Sequence, residues 1–447
     1  MRTDPIETER ALQRMVSVYV TIGLVFMLLP GTFLGVWNLI SISGRQSLET
    51  LSPAWLQAHG HAQVFGWIGT FIIGIGYYSL AKMGGVAPFA VRRGWVSCAL
   101  WTSGVALRWL ANVTGIEWRV LLPFSAALEL AAFLVFFGTV SRHKPAPSTG
   151  ERRPIETWMK MVIASTSAFL LALIANLAVA VVLAGSAARP EIPHWLDQRF
   201  LFLAAWGFPV LAVWGFGTRW LPVFLGLREP WGRGLMAALA LVVAGLCAAA
   251  FGQFLVASVV LLCASGLAAA AMQVYRRARK PAKTIGVSTA MPAFLRGAYL
   301  WLLVAAVLGV LAATADTHGG IWGASRHALT VGFLSTTVFA IGQRVLPAFC
   351  GMRVLYSKRL MTASLWALNL GCLLRVASEI PAYEANLAIA WKLLPVSAVT
   401  ELSAVTLFAL NVAITLVLPP PVPAAPVVRL STANNLQRFD DARPGVA

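Results

Sequence analysis

Long apolar runs separated by short polar loops set the pattern of this chain, and twelve of them are legible. They fall at about 16–40, 55–81, 94–112, 118–140, 159–186, 199–225, 234–250, 252–275, 296–315, 321–347, 360–379 and 386–418. Each has roughly the 17 residues or more that a helix needs to cross hydrocarbon. The pattern predicts an all-α integral membrane protein with twelve transmembrane helices. Only a short turn near Phe251–Gln253 divides the seventh run from the eighth. Basic residues then orient the helices. Segments on the side of the N-terminus carry 23 Lys and Arg, and those on the other side carry 6. The bias alternates loop by loop, which predicts both termini on the cytoplasmic side of a cell inner membrane. The N-terminus runs straight into the first helix, so no cleavable signal peptide is expected. From Pro419 the chain turns proline-rich and loses its helical period, predicting a disordered cytoplasmic tail over 419–447.

The runs repeat. His61, Gly66, Thr70, Ile75 and Gly76 of the second reappear as His327, Gly332, Thr336, Ile341 and Gly342 of the tenth, every pair 266 residues apart. In the sixth, Gly217, Arg219, Leu221, Pro222, Phe224 and Gly226 match Gly342, Arg344, Leu346, Pro347, Phe349 and Gly351 at an offset of 125. Leu121, Leu122, Pro123, Ser125, Ala126, Glu129 and Leu130 of the fourth match Leu393, Leu394, Pro395, Ser397, Ala398, Glu401 and Leu402 of the twelfth. Gly104 and Arg108 of the third match Gly371 and Arg375 of the eleventh. The unit is therefore four helices used three times, with modules over 1–158, 159–295 and 296–418. A six-plus-six transporter repeat does not fit this pattern.

Composition narrows the class. The chain is 58% hydrophobic and 12% charged, which excludes an ordinary soluble globule. Its net charge of +18 sits in short loops, so the lipid bilayer is the expected partner and nucleic acid is not. The five cysteines lie in or beside apolar runs without CxxC spacing, against a zinc knuckle or a covalently attached heme.

Polar residues inside the apolar runs are the candidate chemistry. The second run opens with Ser52 and Pro53, an N-cap and a first-turn proline. His59 and His61 follow, roughly 9 and 12 Å inside the helix. They point to nearly opposite sides and serve different partners. Either they cap a helix end at headgroup level, or they belong to a metal-ligand helix, with heme as the metal group. His327 stands at the equivalent place in the tenth run, and either His59 or His61 can answer it across a heme. His194 and His318, in outer loops, are weaker candidates for a copper or a surface role, and His143 lies in a basic inner loop. Arg108 and Arg375 are expected near the depth of the histidines. They either snorkel to the headgroups or pair with an acidic group such as a heme propionate. Glu129 and Glu401 are expected at mid-depth or below, in an interhelical hydrogen bond or a proton relay.

The twelve-helix pattern with histidines near the outer ends of helices two and ten resembles subunit I of heme-copper oxidases. His59-x-His61 followed by Gly66, Trp67 and Gly69, then Tyr77 and Tyr78, is similar to the double-histidine helix of that superfamily. Together with the stretches Arg326–Phe333 and Gln343–Phe349, it resembles the NnrS family over most of residues 50–420. That resemblance implies one or two hemes b, an additional copper, and His59, His61 and His327 as metal ligands. It also implies a role in nitric oxide and nitrosative-stress or respiratory redox metabolism, with quinol or another electron donor as partner. The sequence departs from an oxidase in one respect: the sixth and seventh runs hold no histidine, so the usual copper ligands are missing. NnrS members often carry an acidic residue where this chain has Ala62 or Gln63. Turnover of a substrate is left open. The rival readings are a transporter or channel on an oxidase-like scaffold, and a heme-based sensor or assembly factor.

Overall fold

The computed structural model describes residues 5–47, 51–84, 91–142, 155–351 and 353–418, and all regular structure among them is helical. The 419–447 tail and His143 lie outside the described residues. The continuous helices are α1 (5–45), α2 (53–84), α3 (Val91–Thr114), α4 (Trp118–Ser141), α5 (Thr157–Ser186) and α6 (His194–Leu225). They continue as α7 (Gly232–Ala250), α8 (Phe254–Ala271), α9 (Met291–Ala315), α10 (Gly320–Phe349), α11 (Lys358–Tyr383) and α12 (Ala388–Val417). Among the described residues, ten of these are long and apolar enough to cross a membrane. The exceptions are α2, which holds His59, His61 and Gln63, and α3, which holds Arg92, Arg93 and Arg108. The expected break between α7 and α8 falls at residues 251–253. There Gly252 takes a left-handed φ of 77°, a conformation that costs a residue without a Cβ little.

Four of the helices contain a π-helical stretch: Met27–Phe33 in α1, Ala62–Gly69 in α2, Leu203–Val210 in α6 and Ala328–Ser335 in α10. The α2 and α10 stretches begin immediately after His61 and His327. π-Helical turns widen the backbone and re-aim the side chains beside them, and they gather at functional sites. These stretches touch one another in sequence, α1 to α2, α2 to α6 and α6 to α10. The most extensive helix packing is between neighbours, α3 with α4, α7 with α8 and α11 with α12. The central helices are α6 and α10, whose apolar windows are 72% and 78% buried, against 33–50% in the other eight.

Without a hydrophobic drive between helices in lipid, close backbone approach must come from small residues. Gly104 and Gly371 supply it. A Cβ on Gly104 would lie 2.7 Å from Glu129 Cγ, and one on Gly371 would lie 2.6 Å from Glu401 Cγ. Each glycine thus seats α3 on α4, or α11 on α12, directly at a glutamate, buried Glu129 in the first pair and half-buried Glu401 in the second.

Candidate functional site

The groups singled out along the chain line one cavity of about 720 Å³. His59 and His61 enter from α2, Arg108 from α3, His327 from α10, Arg375 from α11 and Glu401 from α12. Glu129 stands behind the wall, reached through His61.

The three histidines are held differently. His59 Nδ1 lies 2.8 Å from the carbonyl oxygen of Gly31, within the π-helical stretch of α1. Its ring packs on Gly35, where a Cβ would sit 2.5 Å from Cε1, so α1 has room for the imidazole only because that residue is glycine. His327 Nδ1 lies 2.9 Å from the Gly323 carbonyl oxygen and 3.1 Å from Glu379 Oε2. In both rings Nδ1 faces an acceptor and therefore carries the proton, and Nε2 has no hydrogen-bond partner among the described residues. His327 and Arg375 are near enough to His59 to act on it electrostatically. His61 is the opposite case. Its Nε2 is 2.8 Å from Glu129 Oε1, and its ring stacks on Phe65 at 4.4 Å between centroids.

Both intramembrane arginines turn inward, with Arg108 only 4% exposed and Arg375 only 8% exposed. Arg108 Nη1 donates to Asn176 Oδ1 at 3.1 Å, and Asn176 Nδ2 donates to Glu129 Oε2 at 3.3 Å. The chain Arg108–Asn176–Glu129–His61 therefore ties α3, α5, α4 and α2 together. Arg375 donates from Nε and Nη2 to Glu379, at 3.1 and 3.3 Å, one turn along its own helix. Glu401 has no such partner: its Oε1 is buried and makes no hydrogen bond in the described structure.

Glu129, expected at mid-depth or below, nevertheless reaches His61. From the starts of α2 and α4, His61 and Glu129 are roughly 12 and 16 Å in, a difference of less than one turn that the glutamate side chain spans. Sequence reasoning missed Glu379 and Asn176. Glu379 had a signal in its i,i+4 spacing from Arg375, and Asn176 in being a lone amide within the apolar 30-residue α5. Arg326, also missed, lines the cavity and donates to Gln198. His194 lines the cavity from the exposed first turn of α6. His318 sits in the α9–α10 loop, bonded to Thr317 Oγ1 at 2.9 Å and 66% exposed. Among the described residues no three His, Cys, Asp or Glu side chains converge as a metal site. The added copper expected from the resemblance thus finds no such ligand set among the described residues.

A heme fits the residues present. Two imidazoles with Nδ1 protonated and fixed leave Nε2 as the ligand atom, which is how ligating histidines are oriented. The cavity volume is that of a small-molecule or cofactor site. Buried arginines on its wall suit carboxylate groups.

Among solved structures, the chain is similar to a heme-copper terminal oxidase dimer determined by cryo-EM. The likeness has a TM-score of 0.71 over 95% of this chain and 89% of that one, at 13% identity. At that identity it establishes a shared fold. No curated protein matches the chain. The model of the NnrS protein family matches residues 18–419, and the chain belongs to the NnrS family.

Proposed function

We propose that this protein is a heme-binding membrane protein acting in nitric oxide and nitrosative-stress or respiratory redox metabolism. One observation carries the reading: His59 and His327 line a single cavity, each with Nδ1 anchored to a main-chain carbonyl and Nε2 free among the described residues. These two histidines are the residues that would hold a heme b. Glu129 occupies the Nε2 of His61, which makes His61 a wall and positioning residue rather than the partner of His327. When bound, the heme would supply reversible one-electron chemistry. The residues of this chain would orient and insulate it. Arg108 and Arg375 would offer guanidinium groups to its propionates, Glu379 would raise the basicity of His327, and the Phe65 and Trp206 rings on the cavity wall would exclude water. Glu401, whose Oε1 is buried and without a hydrogen-bond partner, is the proposed proton-carrying group of the cavity wall.

The proposal includes all of α1–α12 as spans in three four-helix modules, with both termini cytoplasmic in the inner membrane. Three features support it. The basic residues divide 23 to 6 between the two sides. The π-helical stretches of α2, α6 and α10 recur at the same offsets of 266 and 125 as the sequence matches. The extensive packing of α3 with α4, α7 with α8 and α11 with α12 falls once in each module. Quinol or another electron donor is the partner such a role requires.

The test is a visible absorption spectrum of the purified full-length protein, oxidised and dithionite-reduced, with metal analysis of the same sample. A low-spin b-type spectrum with iron in near-stoichiometric amount is expected. A colourless, iron-free protein that still inserts in the membrane would make the transporter or channel reading the better one.

A further inference from the structure

The cavity reaches beyond the histidines. Its far wall is built by α8 and α9, helices that contribute nothing to the proposed heme site, through Ser258, Leu261, Ala305, Ala306 and Gly309. No charged side chain of α8 or α9 lines it. Ser258 is 3% exposed, and its hydroxyl has no hydrogen-bond partner among the described residues, not even the carbonyl one turn back on its own helix. A serine in a transmembrane helix ordinarily satisfies itself by that back-bond. Ser325 on α10, also lining the cavity, shows the satisfied state, donating to the Ala305 carbonyl oxygen at 2.8 Å. The space between these hydroxyls exists because residue 309 is glycine. A Cβ there would lie 3.5 Å from Ser325 Oγ and 3.6 Å from Ser258 Oγ, in ordinary contact, so one methyl group takes up the clearance.

We propose that this side of the cavity is a docking pocket for a small uncharged molecule that seats one heavy atom in the clearance at Gly309, held by the Ser258 hydroxyl against an alanine and glycine wall. Small size follows from that clearance, which one methyl group would take up. Neutrality follows from the absence of any charge on α8 and α9 facing it. A hydrogen-bond acceptor on the ligand follows from the unpaired Ser258 donor, which is costly to leave unmet. Nitric oxide is the member of this class that the proposed redox role supplies, and only that identification rests on the redox reading. The pocket itself does not.

The experiment uses crystals of the full-length protein pressurised with xenon, an uncharged probe without an acceptor, or with nitrous oxide, an uncharged triatomic with one. Both gases are expected between Ser258 and Gly309 in the wild type. Gly309→Leu and, from the opposite wall, Ser258→Leu are each expected to abolish the density. Ser258→Ala is expected to keep xenon and lower nitrous oxide occupancy about twofold to tenfold, the range of a neutral hydrogen bond. Neither gas in the wild type, or unchanged gas in both leucine variants, overturns the pocket. An equal effect of Ser258→Ala on the two gases overturns the role of the hydroxyl. Reduced spectra of the same samples separate this proposal from the heme reading. Gas without heme leaves the pocket standing and removes nitric oxide as its ligand, whereas heme without gas removes the pocket alone.

Discussion

Replacing Glu379 separates two kinds of buried electrostatics in this fold. The carboxylate is 3% exposed and shared between Arg375, on its own helix, and His327, on α10. The Arg375 pair is spaced i,i+4, so it survives when α11 leaves its neighbours in the bilayer. Only the bond to His327 is lost on helix separation. Interhelical hydrogen bonds in membranes average about 0.6 kcal/mol, with a maximum of about 1.7 kcal/mol. Glu379→Gln, which keeps the size and an acceptor, is therefore expected to cost about 1 kcal/mol. Glu379→Leu leaves the Arg375 charge buried without a counter-ion and is expected to cost about 3–5 kcal/mol. Unfolding in mixed micelles measures both. In a cycle with Arg375→Leu, the double variant should recover about 0.5–3 kcal/mol of the summed losses. If Glu379→Leu costs under about 1 kcal/mol, or the two changes simply add, Arg375 has a route to water and the pair does not work as described. On the heme reading, Glu379→Gln also weakens the acceptor at His327 Nδ1 and raises the midpoint potential, which redox titration reads directly.

Other expectations follow from single contacts. Gly104→Val and Gly371→Val place methyl groups against Glu129 and Glu401, and each should lower thermal stability by about 1–3 kcal/mol. If either is neutral in a melting assay, the close approach is not real. At the C-terminal end of α11, Glu384 clasps the α9–α10 loop, and burial alone pushes its carboxyl up. The Thr317 hydroxyl and main chain, Asp316 and the Gly320 N–H outweigh it and hold it at about 2. That lies below the unfolded value of about 4.3. The contribution is therefore present above that value and lost as pH falls toward 2, and amide-exchange protection at residues 316–320, taken relative to the intrinsic rate at each pH, should fall over that window. Unchanged protection at pH 2 contradicts the clasp. A reporter fused after Arg438 should be active only as a cytoplasmic fusion, and periplasmic activity there means that α1–α12 do not all span.

What the sequence made legible was what repeats within one helix. Apolar runs and the break at residues 251–253 are local patterns, and the family match and the oxidase-like fold agree with the membrane-helical class they predict. The π-helical stretches were not legible, because Pro30 and Pro209 mark only two of the four. The difference between His59 and His61 was equally hidden. Two residues apart, they carry the same chemistry, and what distinguishes them is the Gly31 carbonyl from α1 and the Glu129 carboxyl from α4. Asn176 bridges Arg108 and Glu129 across three consecutive helices, and nothing in the period of α5 announces a partner. The positions were readable, but their pairings required the packing.

The central claim is tested most directly by the heme spectrum of three single variants, His59→Ala, His61→Ala and His327→Ala, in protein that still inserts in the membrane. His59→Ala and His327→Ala are expected to lose the low-spin b-type spectrum. His61→Ala, whose Nε2 is already held by Glu129, is expected to keep it with at most a shifted potential. Loss in His61→Ala with retention in His59→Ala contradicts the pairing drawn from the structure, and full heme in all three contradicts the hemoprotein reading itself.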